Sequence, residues 1–305
     1  MGALGPGAFP EFRRVRGRGT SRVRPLWHPL FVRRYLALDI ETVPDEDLVS
    51  AVDTEPTRPY PEKLGRLLAT RRAQSGGRSD FLPIPYHRPV VACWIEAAER
   101  DGGLMLEEAG CWTDERERED AFLEGTWERL RGKTLVTFHG RGFDLPVLEM
   151  RSLKLGLSIP SWFTTGRQGL PPDDHHDLFE LLSNRGTAPS APLDLYAKLV
   201  GLPGKEGVAG KDVSALYAQR ALDRISGYCV SDVVQTWLLY LRYRLLEGTL
   251  SQRAYLLSVA ACREELPGLF AEKLVPQARG FLTSFFESCG TFFDELPSVP
   301  LRQAL

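Results

Sequence analysis

The segment RRYLALDIETVPDEDL, residues 33–48, decides how the chain begins to fold. Tyr35 to Ile40 is a short continuous apolar run, as expected of a strand buried on both faces, and Pro44 marks its end. Asp39 and Glu41 stand one residue apart on it. The two-residue period of a strand sends both carboxylates to one face, with Cα atoms roughly 6–7 Å apart. Two carboxylates so placed repel each other unless a cation lies between them. A solvated strand end is the plain alternative.

Working outward, residues 54–80 are rich in Pro, Arg, Gly and Ser and read as a solvated insertion with one helix near Glu62 to Thr70. RPVVACWIEAAE (88–99) and GLMLEEAGCW (103–112) are the next two strands. The Asp-Gly between them suits a hairpin turn. Thr113 and Asp114 are expected to cap a helix running to about Arg131, with Phe122, Trp127 and Leu130 on its apolar side. KTLVTFHG (133–140) is a buried strand stopped by glycines. FDLPVLEMRSLKLG (143–156) is a helix with Pro146 in its first turn and Gly156 at its end. Further helices are expected at DLFELLS (177–183), around PLDLYAKLVGL (192–202), over Asp223 to Glu247, and through most of the chain after Ser251. A strand meander, then a helix, a parallel-type strand and a helical half make an α/β layer fold with a mixed sheet.

Composition sets the class. At 305 residues, 43% hydrophobic and 26% charged, the chain is an ordinary globular protein with one sizeable core. Five scattered cysteines with no C-x-x-C pair argue against a disulfide framework or a thiolate zinc site, and suit a reducing compartment. No apolar run reaches the roughly 20 residues of a membrane span, and no secretory signal is recognisable. A cytoplasmic location is the expectation. The net charge of −2 does not by itself announce a nucleic-acid binder. Arginines crowd the stretch from Arg13 to Arg34, interleaved with Gly and Pro. That pattern reads as a disordered segment over residues 1–33, with a phosphate-contacting arm as the alternative.

Two further segments carry acids. In TFHGRGFDLPVL (137–148), Asp144 opens a helix where a buried strand ends in glycines. A first-turn Asp suits the helix dipole without any chemistry. The glycines also permit close approach of a substrate strand, and Phe143 could pack on a base or sugar. In ISGYCVSDVVQTWLLYLRY (225–243), Tyr228 and Asp232 are four apart and share a helix face. Ile225, Val233 and Leu239 serve the packed side, and an exposed Asp232 is the alternative. Taken together, hard divalent ions take carboxylate oxygens, phosphate and water, and four carboxylates from a strand and two helices could seat two of them.

The order D-x-E, then a G-x-x-F-D-like segment, then Y-x-x-x-D resembles the DEDD superfamily of 3′→5′ exonucleases in its tyrosine-bearing branch. It is similar in particular to bacterial proteins predicted to be exonucleases related to the proofreading domain of family B DNA polymerases. LPIPYHRPVVA (82–92), HHDLFELLS (175–183), PLDLYAKLVGLPGKEGVAGKDV (192–213) and YCVSDVVQTWLLYLRY (228–243) share the family's texture, so the likeness runs from about Tyr35 to Ser251. The resemblance implies a ribonuclease-H-like fold with a mixed five-stranded sheet flanked by helices. It also implies an exonuclease domain over 34–250, with a helical C-terminal extension at 251–305.

The same resemblance implies two Mg²⁺ or Mn²⁺ ions. Asp39 would serve both, Glu41 and Asp232 the first, and Asp144 the second, while Tyr228 would orient the attacking water. His139 stands where the family usually has asparagine, so it is either a substrate contact or a packed core histidine. Lys205 and Lys211 are candidate nucleic-acid contacts, or plain surface lysines. The implied substrate is single-stranded DNA, with RNA as the alternative. A non-catalytic nucleic-acid-binding module and a proofreading subunit acting as a scaffold are the readings from other classes. FLTSFFESCGTFFDEL (281–296) is either a partner surface for such a scaffold or helix core.

Other patterns are set aside. His175, His176 and Asp177 lie in a Pro/Asp-rich loop with no second ligand cluster, and Asp177 reads as a helix cap. The GKT at 132–134 is no phosphate loop, because Trp127 stands where its first glycine should be. No G-x-S-x-G elbow is present.

Overall fold

The computed structural model describes residues 32–100, 103–166, 174–205, 210–274 and 276–293. Five strands form one sheet: β1 (Arg34–Pro44), β2 (His87–Arg100), β3 (Gly103–Thr113), β4 (Thr134–Thr137) and β5 (His175–Asp177), in the order β3-β2-β1-β4-β5. β1 runs antiparallel to β2 and β2 to β3, while β1–β4 and β4–β5 are parallel. This is the mixed five-stranded sheet expected from the sequence, flanked by helices. The hairpin turn expected at Asp101–Gly102 and the basic segment at 1–31 lie outside the described residues.

β1 is the central strand, and its continuous apolar run follows from that place. Its alternate residues go to opposite cores: Tyr35 and Ala37 to one, Leu36, Leu38 and Ile40 to the other. The first core is filled by the long helix α8 (Leu222–Glu247), with Ile225, Val233, Trp237 and Leu241 buried in it. The second is filled by α3 (Glu119–Leu130) and α4 (Asp144–Leu155), through Phe122, Leu123, Trp127, Leu145 and Leu148. The parity that puts Tyr35 and Ala37 under α8 puts Asp39 and Glu41 on that side as well. Just beyond, the ladder slips between Glu41 and Thr42, leaving Val90 of β2 between the Val91 and Pro89 pairings. Proline cannot donate to a ladder, and a bulge is where a sheet accepts one.

Several boundaries differ from the sequence reading, each for a local reason. Thr113 does not cap α3 but closes β3. Asp114 is drawn instead to Arg88 (2.8 Å) and to the Tyr217 hydroxyl (2.7 Å), so the helix starts at Glu119. His175–Asp177 is a strand, not a loop; three polar residues carry no apolar periodicity to read. α1 (Glu46–Val52) precedes the insertion, whose helix α2 (Tyr60–Gln74) outruns the expected one at both ends. Further α-helices among the described residues are α5 (Leu178–Leu182), α6 (Leu193–Leu199), α7 (Val213–Ala218), α9 (Gln252–Ala271), α10 (Pro276–Ser288) and α11 (Gly290–Phe293). The connection between α8 and α9 turns at Gly248, whose φ of 76° suits glycine.

α9 packs on β3, where the Ser258 hydroxyl accepts from the Leu104 amide at 2.9 Å, and α10 packs on α8. Leu282, Phe285, Cys289, Phe292 and Phe293 of the aromatic C-terminal stretch are thereby buried.

One buried ionic knot ties three helices together. Arg151 of α4 donates to Asp45, the cap of α1, and its Nε lies 2.5 Å from Glu119 at the start of α3. Removing the guanidinium leaves the Glu119 carboxylate without its partner, while Asp45 keeps Lys154 at 2.7 Å and the Leu48 amide at 3.0 Å. Arg151→Ala is therefore expected to cost about 1.5–3 kcal/mol of stability, measured by urea denaturation.

Candidate active site

Three of the acids meet at the end of β1. Carboxylate oxygens of Asp39, Glu41 and Asp232 all lie within 4.8 Å of one another, and no other such group of His, Cys, Asp or Glu occurs among the described residues. Asp39 is partly exposed, whereas Glu41 is 8% and Asp232 5% exposed. β1 supplies two of them by its pleat. The third comes from α8, whose neighbouring Ile225, Cys229 and Val233 are sunk in the core. Asp232 is thus buried, not solvent-facing. The Cys229 thiol touches Asp39 at both the carbonyl (3.4 Å) and Oδ2 (3.3 Å), a contact that spacing alone does not reveal.

Asp144 is buried beside this trio without joining it. As the first residue of α4, it turns Oδ1 to accept from the Ile40 amide at 3.1 Å. That amide is left over where the β1–β4 pairing stops at Ala37. Tyr228, one helical turn before Asp232, is buried, and its hydroxyl receives a hydrogen bond from Lys205. The Lys205 ammonium also lies 3.2 Å from Asp232 Oδ2 and 4.7 Å from the centre of the Tyr228 ring.

The electrostatics are those of crowded, buried acids. Burial first, then the charges of Asp232 and Asp144, push Asp39 well above the usual carboxylate range. Glu41 is pushed well up by burial and then by Asp39 and Asp232. Burial raises Asp144 to about 7 against the pull of backbone hydrogen bonds, the Ile40 amide among them. Burial also raises Asp232, with Lys205 opposing it. The Tyr228 hydroxyl is raised by burial and then by the Asp232 charge, so it stays protonated.

The donor set suits a hard divalent cation. All its ligands are oxygens, their mutual repulsion calls for positive charge, and the buried Asp232 Oδ1 has no hydrogen-bond partner.

The loop after β4 frames one side. Asp177 accepts from the amides of His139 (2.8 Å), Arg141 (2.9 Å) and Phe179 (3.1 Å), so it braces this loop as well as capping α5. His139 is exposed, which answers against its packing in the core, and its φ is 67°. Asn, Asp and His are the side chains that tolerate this left-handed region best, so histidine fits the backbone where asparagine is usual. A Cβ on Gly140 would sit 2.6 Å from the Thr137 side chain, and one on Gly142 2.6 Å from the His139 ring, so neither position admits a larger residue without a shift. Phe143 is partly buried against His87 (4.9 Å) and Phe81 (5.6 Å), and it is Phe81, 57% exposed, that shows the group's open ring.

Other candidates fall elsewhere. Lys211 is exposed in the short turn Gly210–Asp212, with no contact to the acids among the described residues. His175 is buried against the Thr137 hydroxyl at 2.9 Å, and burial pushes it down to about 3, so it is neutral. His176 bonds the Tyr240 hydroxyl at 2.8 Å.

Carboxylates whose folded pKa is raised bind protons more tightly folded than unfolded. Stability therefore falls as pH rises from about 4, the unfolded carboxylate range, through the folded value, which for Asp144 is about 7. The metal-free protein is expected to melt at lower temperature at pH 8 than at pH 5.5. Mn²⁺ should restore more of the loss at pH 8. Scanning calorimetry with EDTA or Mn²⁺ checks both; an equal Mn²⁺ effect in Asp39→Asn would place the ion elsewhere.

Residues 79–285 match the family described as predicted 3′-5′ exonuclease related to the exonuclease domain of PolB. Asp144, Lys205, Tyr228 and Asp232 fall inside the matched span, and Asp39 and Glu41 precede it. A DNA polymerase from Pyrococcus glycovorans is 26% identical over 156 residues, covering 46% of this chain and 20% of that one. The structure of the family B DNA polymerase from Pyrobaculum calidifontis is similar over 75% of this chain and 26% of the polymerase, with 15% identity and a TM-score of 0.43. The chain therefore spans about a fifth to a quarter of the length of these polymerases. By the extent of the first match, this protein belongs to the family of predicted 3′-5′ exonucleases related to the exonuclease domain of PolB.

Proposed function

We propose that the chain hydrolyses phosphodiester bonds from the 3′ end of single-stranded DNA, releasing nucleoside 5′-monophosphates, as a tyrosine-bearing DEDD exonuclease. The observation that carries this is the convergence of Asp39, Glu41 and Asp232 within 4.8 Å, with a buried oxygen of Asp232 left unpaired beside Tyr228. Asp39, Glu41 and Asp232, with Asp144 alongside, would hold two Mg²⁺ or Mn²⁺ ions. When bound, such ions ready a water at neutral pH and neutralise charge at the phosphate and the leaving oxygen.

The remaining work falls to the chain itself. Tyr228 keeps its proton, so it orients the attacking water by hydrogen bonding and is no general base. Lys205 presents a cation beside Tyr228 and Asp232, suited to a phosphate oxygen. His139, exposed on the braced loop, and Phe143, with Phe81 in front of it, are placed to meet the terminal nucleotide. Lys211 is kept as an outer contact to the strand. Residues 34–250 are assigned as the exonuclease domain, and 251–305 as a helical extension whose α9 and α10 complete its core.

Purified protein is incubated with 5′-labelled DNA and RNA oligonucleotides, with Mn²⁺ or EDTA. A ladder shortening from the 3′ end of DNA, abolished by EDTA and in Asp39→Ala, is the expected result. Shortening of RNA alone would overturn the choice of DNA, and binding without shortening would point to a non-catalytic module. Tyr228→Phe is expected to lower kcat by about 10²-fold with little change in KM.

A further inference from the structure

The acidic site already contains a cation of the protein's own. The Lys205 ammonium lies 3.2 Å from Asp232 Oδ2, donates to the Tyr228 hydroxyl and sits over the Tyr228 ring. Its backbone is fixed with unusual thoroughness for a loop. The Gly204 amide donates to Oε1 of the fully buried Gln235 at 2.7 Å, and the Lys205 amide to Asp194 Oδ1 at 2.7 Å. Gln235 is itself held by the Ser231 hydroxyl at 3.0 Å. Gly204 has a φ of 76°, and a Cβ there would sit 2.4 Å from Asp194 Oδ1, so only glycine lets the chain pass. The side chain, 31% exposed, has four flexible carbons beyond that anchor, so its head can move while its root cannot.

We propose that Lys205 is the resident counter-cation of this site. With no divalent ion bound, its ammonium holds Asp232 and Tyr228 in place through Asp232 Oδ2, and an incoming ion, left Oδ1, meets its repulsion at short range. Gly204, Gln235 and Asp194 are the positioning residues that set it there. The inference rests on the reading that these acids bind a divalent cation. Two cations on the two oxygens of one carboxylate still repel each other strongly. The fixed charge therefore lowers the site's affinity for the ion, and in exchange it keeps three crowded carboxylates assembled before the ion arrives. The flexible side chain can then turn its ammonium to an anionic substrate.

The test is calorimetric titration of the full chain with Mn²⁺, for wild type, Lys205→Met, Lys205→Arg, Gln235→Leu and Asp39→Asn, with thermal melts in EDTA. Lys205→Met is expected to bind Mn²⁺ at least about tenfold more tightly, for the loss of one unit charge at contact range, and to melt lower in EDTA. Lys205→Arg should bind as weakly as wild type. Gln235→Leu, which frees the anchor but keeps the charge, should tighten binding by a smaller factor. A gain of affinity is not what a damaged fold produces. Unchanged or weaker binding by Lys205→Met overturns the counter-cation. Tightening by Lys205→Met without any by Gln235→Leu removes the positioning role alone. If wild type binds Mn²⁺ no better than Asp39→Asn, the metal-site reading fails, and the proposal with it.

Discussion

Carboxylates crowded into a poorly solvated corner repel one another and resist ionisation, and the rest of this structure is arranged around that cost. β1 is buried on both faces, so whatever occupies its Tyr35–Ala37 face is pressed against α8. Asp39 and Glu41 continue that face, and α8 brings Asp232 to meet them. Nothing apolar relieves the repulsion there. What relief exists is polar and specific: the Cys229 thiol on Asp39, the Ile40 amide on Asp144, and the Lys205 ammonium on Asp232. One oxygen of Asp232 receives nothing. A site with this imbalance is primed for added positive charge.

The supports of the site come from parts of the chain that carry no chemistry of their own. Asp177 stands at the end of the short strand β5, yet its carboxylate takes three amides and so fixes the His139 loop against α5. Gln235, one turn beyond Asp232 on α8, secures the loop that delivers Lys205. α8 thus positions Tyr228, Asp232 and, through Gln235, Lys205. The burial of Trp237, Tyr240 and Leu241 further along keeps that helix from shifting. Stability of the C-terminal half and geometry of the site are therefore one property, carried by one helix.

The family relationship and the geometry support each other from different directions. The matched span begins after β1, so it does not include Asp39 and Glu41. Those two enter the site because of where β1 lies in the sheet, between an antiparallel and a parallel neighbour. The chain corresponds to a small part of the polymerases it is similar to, and its own C-terminal helices close the α8 side of the core.

Much of this was legible in the linear chain. The apolar run of β1, the i, i+2 acids, the Gly156 stop of α4 and the i, i+4 pair Tyr228 and Asp232 are local patterns with local physical causes, and they determined the strand, the helices and the candidate acids. The misreadings were also local. Asp114 looked like a helix cap because its ion pair with Arg88 lies 26 residues away in sequence, and β5 looked like a loop because three backbone-paired residues carry no hydrophobic period. By itself, then, the sequence determined which residues could form a site and on which elements they ride. Tertiary structure alone decided that Asp232 is buried and short of a partner, that Asp144 turns to a leftover sheet amide, and that Lys205 reaches across to Asp232. Burial and distance between groups far apart in the chain are set by packing, and no periodicity records them.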